Sequence, residues 1–157
     1  MKLELQRVRK RWRAAIHGWF LVACALVVAM AAGCATKGAE LSAESPPEVK
    51  AAAVRGRANA RWAELIKGDK DAAYAYLSPG VRKMISPEQY SVRVRTGGFR
   101  AVQIDKVDCA AETCTVTLRL TYDYLAPRGA GAAKGITTTM QETWVLDQGQ
   151  AWFVMQP

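Results

Sequence analysis

Histidine is the residue that this sequence most clearly lacks. The 157 residues contain only His17, which lies in an N-terminal segment that we expect to be removed from the mature protein. A mature domain without histidine cannot use Ser-His-Asp or Cys-His catalysis, or the common histidine-containing zinc sites. It also lacks the side chain most often used as a general base near neutral pH. We therefore expect no metal and no cofactor, and a protein that is not an enzyme.

A strong excess of one charge is also missing once position is considered. The chain has 22 Lys and Arg residues against 14 Asp and Glu residues, a net charge of +8. Residues 1–33 hold six of the basic residues and one acid, so residues 34–157 keep 16 basic and 13 acidic residues, or +3. No run of like charges occurs there. The basic patch typical of nucleic-acid binding is absent, and we expect no nucleic-acid partner.

The N-terminal segment has the layout of a secretory signal. Its basic head ends at Arg13, and no charged residue except the titratable His17 lies between positions 14 and 36. Residues 19–32 are almost all Leu, Val, Ala, Phe and Met. Such a core enters the bilayer while the positive head stays in the cytoplasm. The run is shorter than the roughly 20 residues that span a bilayer comfortably.

The apolar run ends in Ala31-Ala32-Gly33-Cys34, which resembles the lipobox of bacterial lipoproteins. The resemblance implies that a signal peptide of residues 1–33 is cleaved and that Cys34 becomes the acylated, palmitate-bearing first residue. Ala31 departs from the leucine that is commonest in the family. Two or three acyl chains would make membrane attachment permanent. An uncleaved signal anchor is the alternative, and both place the rest of the chain outside the cytoplasm.

The residue after the lipobox bears on the membrane. Ala35 stands there instead of aspartate. By resemblance to enterobacterial sorting, this implies the outer membrane, with the domain facing the periplasm of the cell envelope.

Two of the four cysteines remain for the domain. Cys24 leaves with the signal and Cys34 is assigned to lipidation, while Cys109 and Cys114 are separated by four residues. In an oxidising compartment such a pair is expected to form a disulfide. A four-residue connection between strands brings their ends within disulfide distance. A redox-active pair and free thiols are the alternatives, although the spacing is not that of Cys-x-x-Cys.

The rest of the chain divides into a tether and one domain. Residues 34–47 are small, polar and proline-containing, which is typical of a flexible tether. Residues 48–157 are enough for a single globular domain. The sequence Ser45-Pro46-Pro47-Glu48 has the spacing of a capping box and an early proline, and it predicts the start of a helix.

Helical periodicity fills the first part of the domain. Apolar residues recur every three or four positions over 49–67, and Gly68 is a typical helix end. The predicted buried stripe contains Val49, Ala53, Gly56, Ala60, Ala63 and Ile66, widened by Trp62 and Leu65. Asp69 is placed to cap a second helix over 70–77. A short helix over 81–85 and a turn through Tyr90 follow.

From Val92 the period changes to two, which is typical of strands. Alternation predicts strands at 92–95, near 102–104, and over 114–124, 136–146 and 151–156, with a loop at 126–135. Helices followed by an antiparallel meander predict an α+β fold. We expect a single domain in which N-terminal helices pack on a curved sheet of about four strands.

Residues 61–69 (Arg-Trp-Ala-Glu-Leu-Ile-Lys-Gly-Asp), 73–79 (Ala-Tyr-Ala-Tyr-Leu-Ser-Pro) and Arg82 carry a second resemblance. A long helix, a Gly-Asp break and an aromatic short helix resemble the nuclear-transport-factor-2-like family. The resemblance covers about residues 48–157 and implies a cone-shaped domain with a pocket between its long helix and its concave sheet. Another helix-on-sheet domain, such as a cystatin-like one, is the alternative.

The resemblance also names candidate pocket residues. Many enzymes of this family use a His-Asp pair in the pocket, which the mature domain cannot supply. Others resemble ketosteroid isomerase, with a carboxylate base and an oxyanion site made by a tyrosine and a carboxyl group. The possible pocket residues here are Trp62, Tyr74, Tyr122, Trp144 and Asp105. Aromatic residues at such spacing more often pack in the core, so no catalytic residue is assigned.

Two further patterns are open to more than one interpretation. Arg93, Arg95 and Arg100 could bind an anionic ligand, although a solvated strand face is the simpler interpretation. Residues 129–135 are rich in glycine but match no phosphate-loop pattern, and they predict a hairpin loop.

The resulting hypothesis is a membrane-anchored envelope lipoprotein. Its domain is expected to bind or assemble with a partner, such as another envelope protein, without catalysis. The alternative is a small-molecule-binding domain or an isomerase-like enzyme with a cone-shaped pocket. An apolar cavity in which an aspartate and a tyrosine converge would favour that alternative, and a filled cone would oppose it.

Overall fold

The computed structural model describes residues 40–125 and 131–155. The predicted signal peptide, His17, the lipobox with Cys34 and the first part of the tether lie outside the described residues. Residues 126–130 of the predicted loop and Gln156 of the predicted last strand also lie outside them. All described residues belong to one compact unit.

Four helices precede four strands along the chain. The helices are α1 (Pro47–Lys67), α2 (Lys70–Tyr74), α3 (Pro79–Met84) and α4 (Pro87–Arg93). The strands are β1 (Phe99–Ala110), β2 (Thr113–Leu125), β3 (Ala132–Asp147) and β4 (Gln150–Val154). In the described part of the chain, no helix is both long enough and apolar enough to cross a membrane.

The strands form one antiparallel sheet in the order β1-β2-β3-β4. Leu120 lies opposite Val102, Leu118 opposite Met140, and Trp144 opposite Phe153. One face of the sheet packs against α1, and the core between them includes Leu118, Trp144 and Trp62. The predicted α+β fold class is confirmed.

The ends of α1 show which local signals act. Pro47 occupies the first turn, but Pro46 is the N-cap and makes no side-chain cap bond. The hydroxyl of Ser45 instead accepts from the backbone of Ser42, so the predicted capping box does not form. At the other end Gly68 adopts φ 85°, the left-handed conformation that glycine accommodates without a Cβ clash. The prediction of the helix end is confirmed.

The buried face of α1 differs from the predicted stripe. The buried residues are Lys50, Val54, Ala58, Arg61, Trp62 and Leu65. Val49 and Ile66, which the prediction placed in the core, are 44% and 36% exposed. The buried face differs because two cations, Lys50 and Arg61, lie on it, where each has hydrogen-bond partners. The Nζ of Lys50 donates to the carbonyls of Ala43 and Ala111, at 2.8 and 3.0 Å.

The strand predicted at 92–95 is wrong. Residues 87–93 form α4, which begins with a complete capping box between Ser86 and Gln89. These local bonds and the proline at the first helical position favour a helix over an extended chain. Strand β1 begins only at Phe99.

The end of the predicted tether contacts the domain. The backbone of Leu41 pairs with that of Gly149 in the β3–β4 turn, with an N–O distance of 3.2 Å. The Leu41 side chain packs against the core. The chain at Leu41 is therefore held against the β3–β4 turn.

Candidate binding cleft

A carboxylate lies at a core position of the sheet. Glu142 is 5% exposed and sits on the inward face of β3, two residues before the fully buried Trp144. It accepts from Arg61 Nη1 at 2.7 Å and from Trp62 Nε1 at 2.9 Å, both to Oε1. The indole Nε1 of Trp144 donates to Oε2 at 3.1 Å. We call Glu142, Arg61, Trp62 and Trp144 the Glu142 cluster.

Secondary structure explains how the four residues meet. Arg61 and Trp62 are adjacent on the part of α1 that crosses the sheet, and both are buried. Glu142 and Trp144 are two positions apart on β3, so they point to the same face. The guanidinium carbon of Arg61 lies 3.7 Å from the centroid of the Phe153 ring on β4. The cluster thus joins α1 to the two last strands.

The Glu142 cluster leaves little chemistry free on the carboxylate. A buried charge is tolerated only when it is paired and hydrogen-bonded. A carboxylate offers about four acceptor positions, and three donors already bind Glu142. It is therefore held as an ion-paired acceptor rather than presented as a base.

A cleft of about 430 Å³ opens beside the cluster. Its walls are mostly apolar and include Trp62, Leu65, Phe99, Met140 and Phe153. The rings of Trp62 and Phe99 meet edge to face, with centroids 5.5 Å apart. Because Arg93 and Arg95 also line this space, we call it the arginine cleft.

The charge of the arginine cleft is positive. It contains three guanidinium groups, those of Arg61, Arg93 and Arg95, and one carboxylate, that of Glu142. Arg61 is paired with Glu142, whereas Arg93 and Arg95 are exposed and form no ion pair with another described residue. Two uncompensated cations therefore lie beside an apolar pocket.

The third arginine of the predicted basic edge lies elsewhere. Arg100 binds the carboxylate of Asp123 on the neighbouring strand. That hydrogen bond, together with one from the backbone N–H of Gly135, holds the pKa of Asp123 below its usual value. The structure thus assigns Arg93 and Arg95 to the cleft, and Arg100 to a strand-strand contact.

A tyrosine lies behind the cluster. Tyr90 of α4 is fully buried and packs edge to face on Tyr74, with centroids 5.6 Å apart. Burial raises the pKa of its hydroxyl, and the neighbouring Arg61 charge opposes that shift. Tyr90 therefore stays neutral and packs as part of the hydrophobic core.

The five predicted pocket residues are not brought together. Trp62 lines the arginine cleft, while Trp144 lies behind it in the core. The hydroxyl of Tyr74 donates to the Ile85 carbonyl at 2.9 Å. Tyr122 is half-buried and lies opposite Ile136 in the sheet.

Asp105, the carboxylate of the predicted pocket, does not line the described cleft. Its carboxylate accepts two hydrogen bonds from Arg119, Nε–Oδ2 at 2.9 Å and Nη2–Oδ1 at 3.0 Å. Arg119 alternates with the buried Leu118 and Leu120, so this pair lies on the outer face of the sheet. No aspartate and tyrosine converge in the described cleft.

Sequence reasoning missed Arg61 and Glu142 as site residues. One signal was present: Glu142 falls in the same alternating set as Met140, Trp144 and Leu146, whose apolar side chains share one face of the strand predicted at 136–146. A charged residue at an inward strand position requires a buried partner of opposite charge. Arg61 on α1 could have been proposed as that partner.

The predicted disulfide is confirmed. Cys109 and Cys114 are bonded across the β1–β2 hairpin, with Cα atoms 4.0 Å apart. Among the described residues, no group of His, Cys, Asp and Glu side chains is placed to hold a metal ion.

No protein-family model and no curated protein sequence matches this chain. Solved structures do match. A Campylobacter jejuni protein described as an NTF2-like transpeptidase aligns over 65% of this chain and 97% of its own length, with a TM-score of 0.49 and 10% identity. RPA3114 of Rhodopseudomonas palustris, which contains a SEC-C motif, aligns over 69% of this chain and 80% of its own, with a TM-score of 0.50 and 13% identity.

These similarities concern the fold. The first structure shares its family name with the resemblance found in residues 61–82, at 10% identity. The second is similar in fold alone, because its identity is 13%.

Proposed function

We propose that this chain is a lipid-anchored envelope protein whose single domain binds a ligand in the arginine cleft without catalysis. The observation that carries the proposal is the state of Glu142. It is the one carboxylate among the residues that line the described cleft, and three donors occupy it. A cleft with apolar walls, cations and no free base is suited to binding.

The anchoring part rests on the sequence and is supported by the cysteine pair. The basic head, the apolar run and Ala31-Ala32-Gly33-Cys34 are the features that favour export and acylation of Cys34. A structural disulfide between Cys109 and Cys114 suits an oxidising compartment such as the periplasm. Export and the disulfide therefore point to the same location.

The distance between anchor and domain is short in this proposal. Seven residue steps separate Cys34 from Leu41, the first residue paired with the sheet. A fully extended chain covers at most roughly 3.6 Å per residue, so this span is at most about 25 Å. A domain held this close to the membrane can meet ligands at the membrane surface.

The alternative of an isomerase-like enzyme is opposed by the same geometry. Such an enzyme needs a carboxylate base and a tyrosine or carboxyl donor facing one substrate. Asp105 lies on the outer face with Arg119, and Tyr74 donates to a backbone carbonyl. Neither residue lines the arginine cleft.

Site-specific crosslinking in intact cells tests the binding function. A photoreactive amino acid replaces Met140, a half-buried residue on the inward face of β3 that lines the cleft. The matched control replaces Met84, a methionine that is 75% exposed and does not line the cleft. We expect a light-dependent adduct from position 140 and none from position 84. Adducts of equal yield at both positions, or none at either, would contradict the proposal.

A further inference from the structure

We infer that the ligand of the arginine cleft is a small amphiphile with an anionic head and an apolar body. The inference rests on the proposed binding function and adds the chemical class of the ligand. The head is assigned to Arg93 and Arg95 at the rim, and the body to the apolar walls beside Trp62.

The first reason is the charge at the rim. Arg93 is the last residue of α4, and Arg95 follows two positions later, so a short segment places both at the cleft. Neither forms an ion pair with another described residue. A guanidinium presents a planar set of donors that fits a carboxylate, sulfonate or phosphate head.

The second reason is that the carboxylate inside the cleft does not cancel this charge. Glu142 is bound by Arg61 at 2.7 Å, and both side chains are at most 5% exposed. The pair is neutral as a unit. An anionic head at the rim therefore meets two cations and no uncompensated acid.

The third reason is the apolar wall. Phe99, Met140, Leu65 and Phe153 surround a space of about 430 Å³ next to the rim. Burying apolar surface of the ligand against these walls favours binding because it removes that surface from water. A fully hydrophilic anion would leave these walls unused, whereas an amphiphile uses both the walls and the cations.

Two other clefts of the domain lack this combination. One, next to the disulfide, is lined by Glu48 and Asp108 and is negative. Another is lined by one cation, Arg57, and one acid, Glu64. Positive charge beside apolar walls is found at the arginine cleft and not at these two.

Photoaffinity labelling of the full chain in membranes tests the ligand class. The probes are a diazirine-bearing decanoate and the matched diazirine-bearing decanol, which share an apolar body and differ in the head. Labelled peptides are identified by mass spectrometry. We expect labelling within residues 93–99 and 140–143. The concentration that gives half-saturation should be about tenfold lower for the carboxylate than for the alcohol, because one hydrogen bond to a charged group changes affinity by about that factor.

Variants locate the origin of the preference. Arg93→Gln together with Arg95→Gln should bring the two half-saturation concentrations together, while Arg93→Lys with Arg95→Lys should retain a preference for the carboxylate. Arg119→Gln, on the outer face, is the matched control and should keep the full preference. Because Arg93 and Arg95 are exposed and form no ion pair with described residues, the glutamine variant is expected to fold, which circular dichroism checks.

Three results would overturn the inference. They are equal half-saturation by both probes in the unmodified chain, a carboxylate preference that survives the double glutamine change, and no cleft labelling by either probe. The crosslinker at Met140 separates this failure from that of the proposed function. If it captures a protein-sized partner while decanoate does not label the cleft, the binding function stands and the anionic amphiphile is excluded.

Discussion

Arg61 and Glu142 form a buried ion pair between α1 and β3, with Nη1 2.7 Å from Oε1 and side chains 5% and 3% exposed. The pair fixes the helix over the sheet beside the arginine cleft. Phe153 packs against the guanidinium, and two indole N–H groups complete the shell of the carboxylate. The buried ion pair therefore contributes to the packing of α1 on the sheet and also lines the arginine cleft.

Removing one partner of this pair should be costly. Arg61→Met leaves Glu142 in the interior with the two indole donors alone, and loss of one partner of a buried pair costs about 3–5 kcal/mol. Equilibrium urea unfolding measures this change. Lys67→Met is the control, because Lys67 pairs with Glu64 at an exposed site where its side chain is 65% exposed. That change should cost less than about 1 kcal/mol.

The double variant tests whether the two residues act together. Arg61→Met combined with Glu142→Leu removes both charges, so its loss of unfolding free energy should be smaller than the sum of the two single losses by more than about 1 kcal/mol. Additive losses would show that the pair is not coupled.

Tyr90 should make stability depend on alkaline pH. Burial raises the pKa of its hydroxyl above the unfolded value of about 10. Its contribution is complete below that unfolded pKa and is lost as the pH rises through the folded pKa, because the unfolded chain releases its proton first. Tyr90→Phe should therefore reduce the fall in unfolding free energy above about pH 10. Tyr124→Phe, at a half-exposed position, controls for hydroxyl removal. Matching pH profiles for Tyr90→Phe and the unmodified chain would refute this prediction.

Two glycines should respond in opposite directions to alanine. Gly98 has φ +95°, and a Cβ there would collide with the backbone carbonyl of Asp123. Gly98→Ala should cost about 2–4 kcal/mol. Gly56 lies inside α1 with open space around it, so Gly56→Ala should add about 0.5–1 kcal/mol. Thermal unfolding of both variants provides the comparison, and shifts of the same sign would contradict it.

Replacing the disulfide with two serines should cost more than closure of its small loop accounts for. Loop closure over five residues of separation gives about 2 kcal/mol in the chain-entropy model. Replacing both Cys109 and Cys114 with serine also places a hydroxyl at the fully buried position 114, so the loss should exceed that value. Unfolding with and without reductant measures the effect. Alkylation of both cysteines in the folded, unreduced chain would show that the bond is absent.

Local signals made much of the fold predictable. Gly68 ended α1 and Asp69 capped α2 as predicted, since its side chain accepts from Ala72 N at 2.9 Å. Alternation over 114–120 gave the buried face of β2, because each inward residue there is apolar. These features depend on residues that are close together in the chain, so they can be predicted from the sequence alone.

The features that failed depend on partners far along the chain. The buried face of α1 includes Lys50 and Arg61, whose partners lie on other elements, so hydrophobicity placed the stripe on a neighbouring face. Residues 92–93 alternate like a strand, but the capping bonds of Ser86 extend a helix through them. The residues of the candidate cleft show the same difference. Trp62 was predicted from its aromatic side chain alone, whereas Glu142 could be recognised only together with its partner Arg61.

We propose that this domain works as a lipid-anchored module, and acylation of Cys34 tests this proposal most directly. Cells expressing the unmodified chain or Cys34→Ser are grown with radioactive palmitate, and the purified chains are compared. We expect label on the unmodified chain and none on Cys34→Ser. Equal label on both chains, or no label on the unmodified chain, would contradict it.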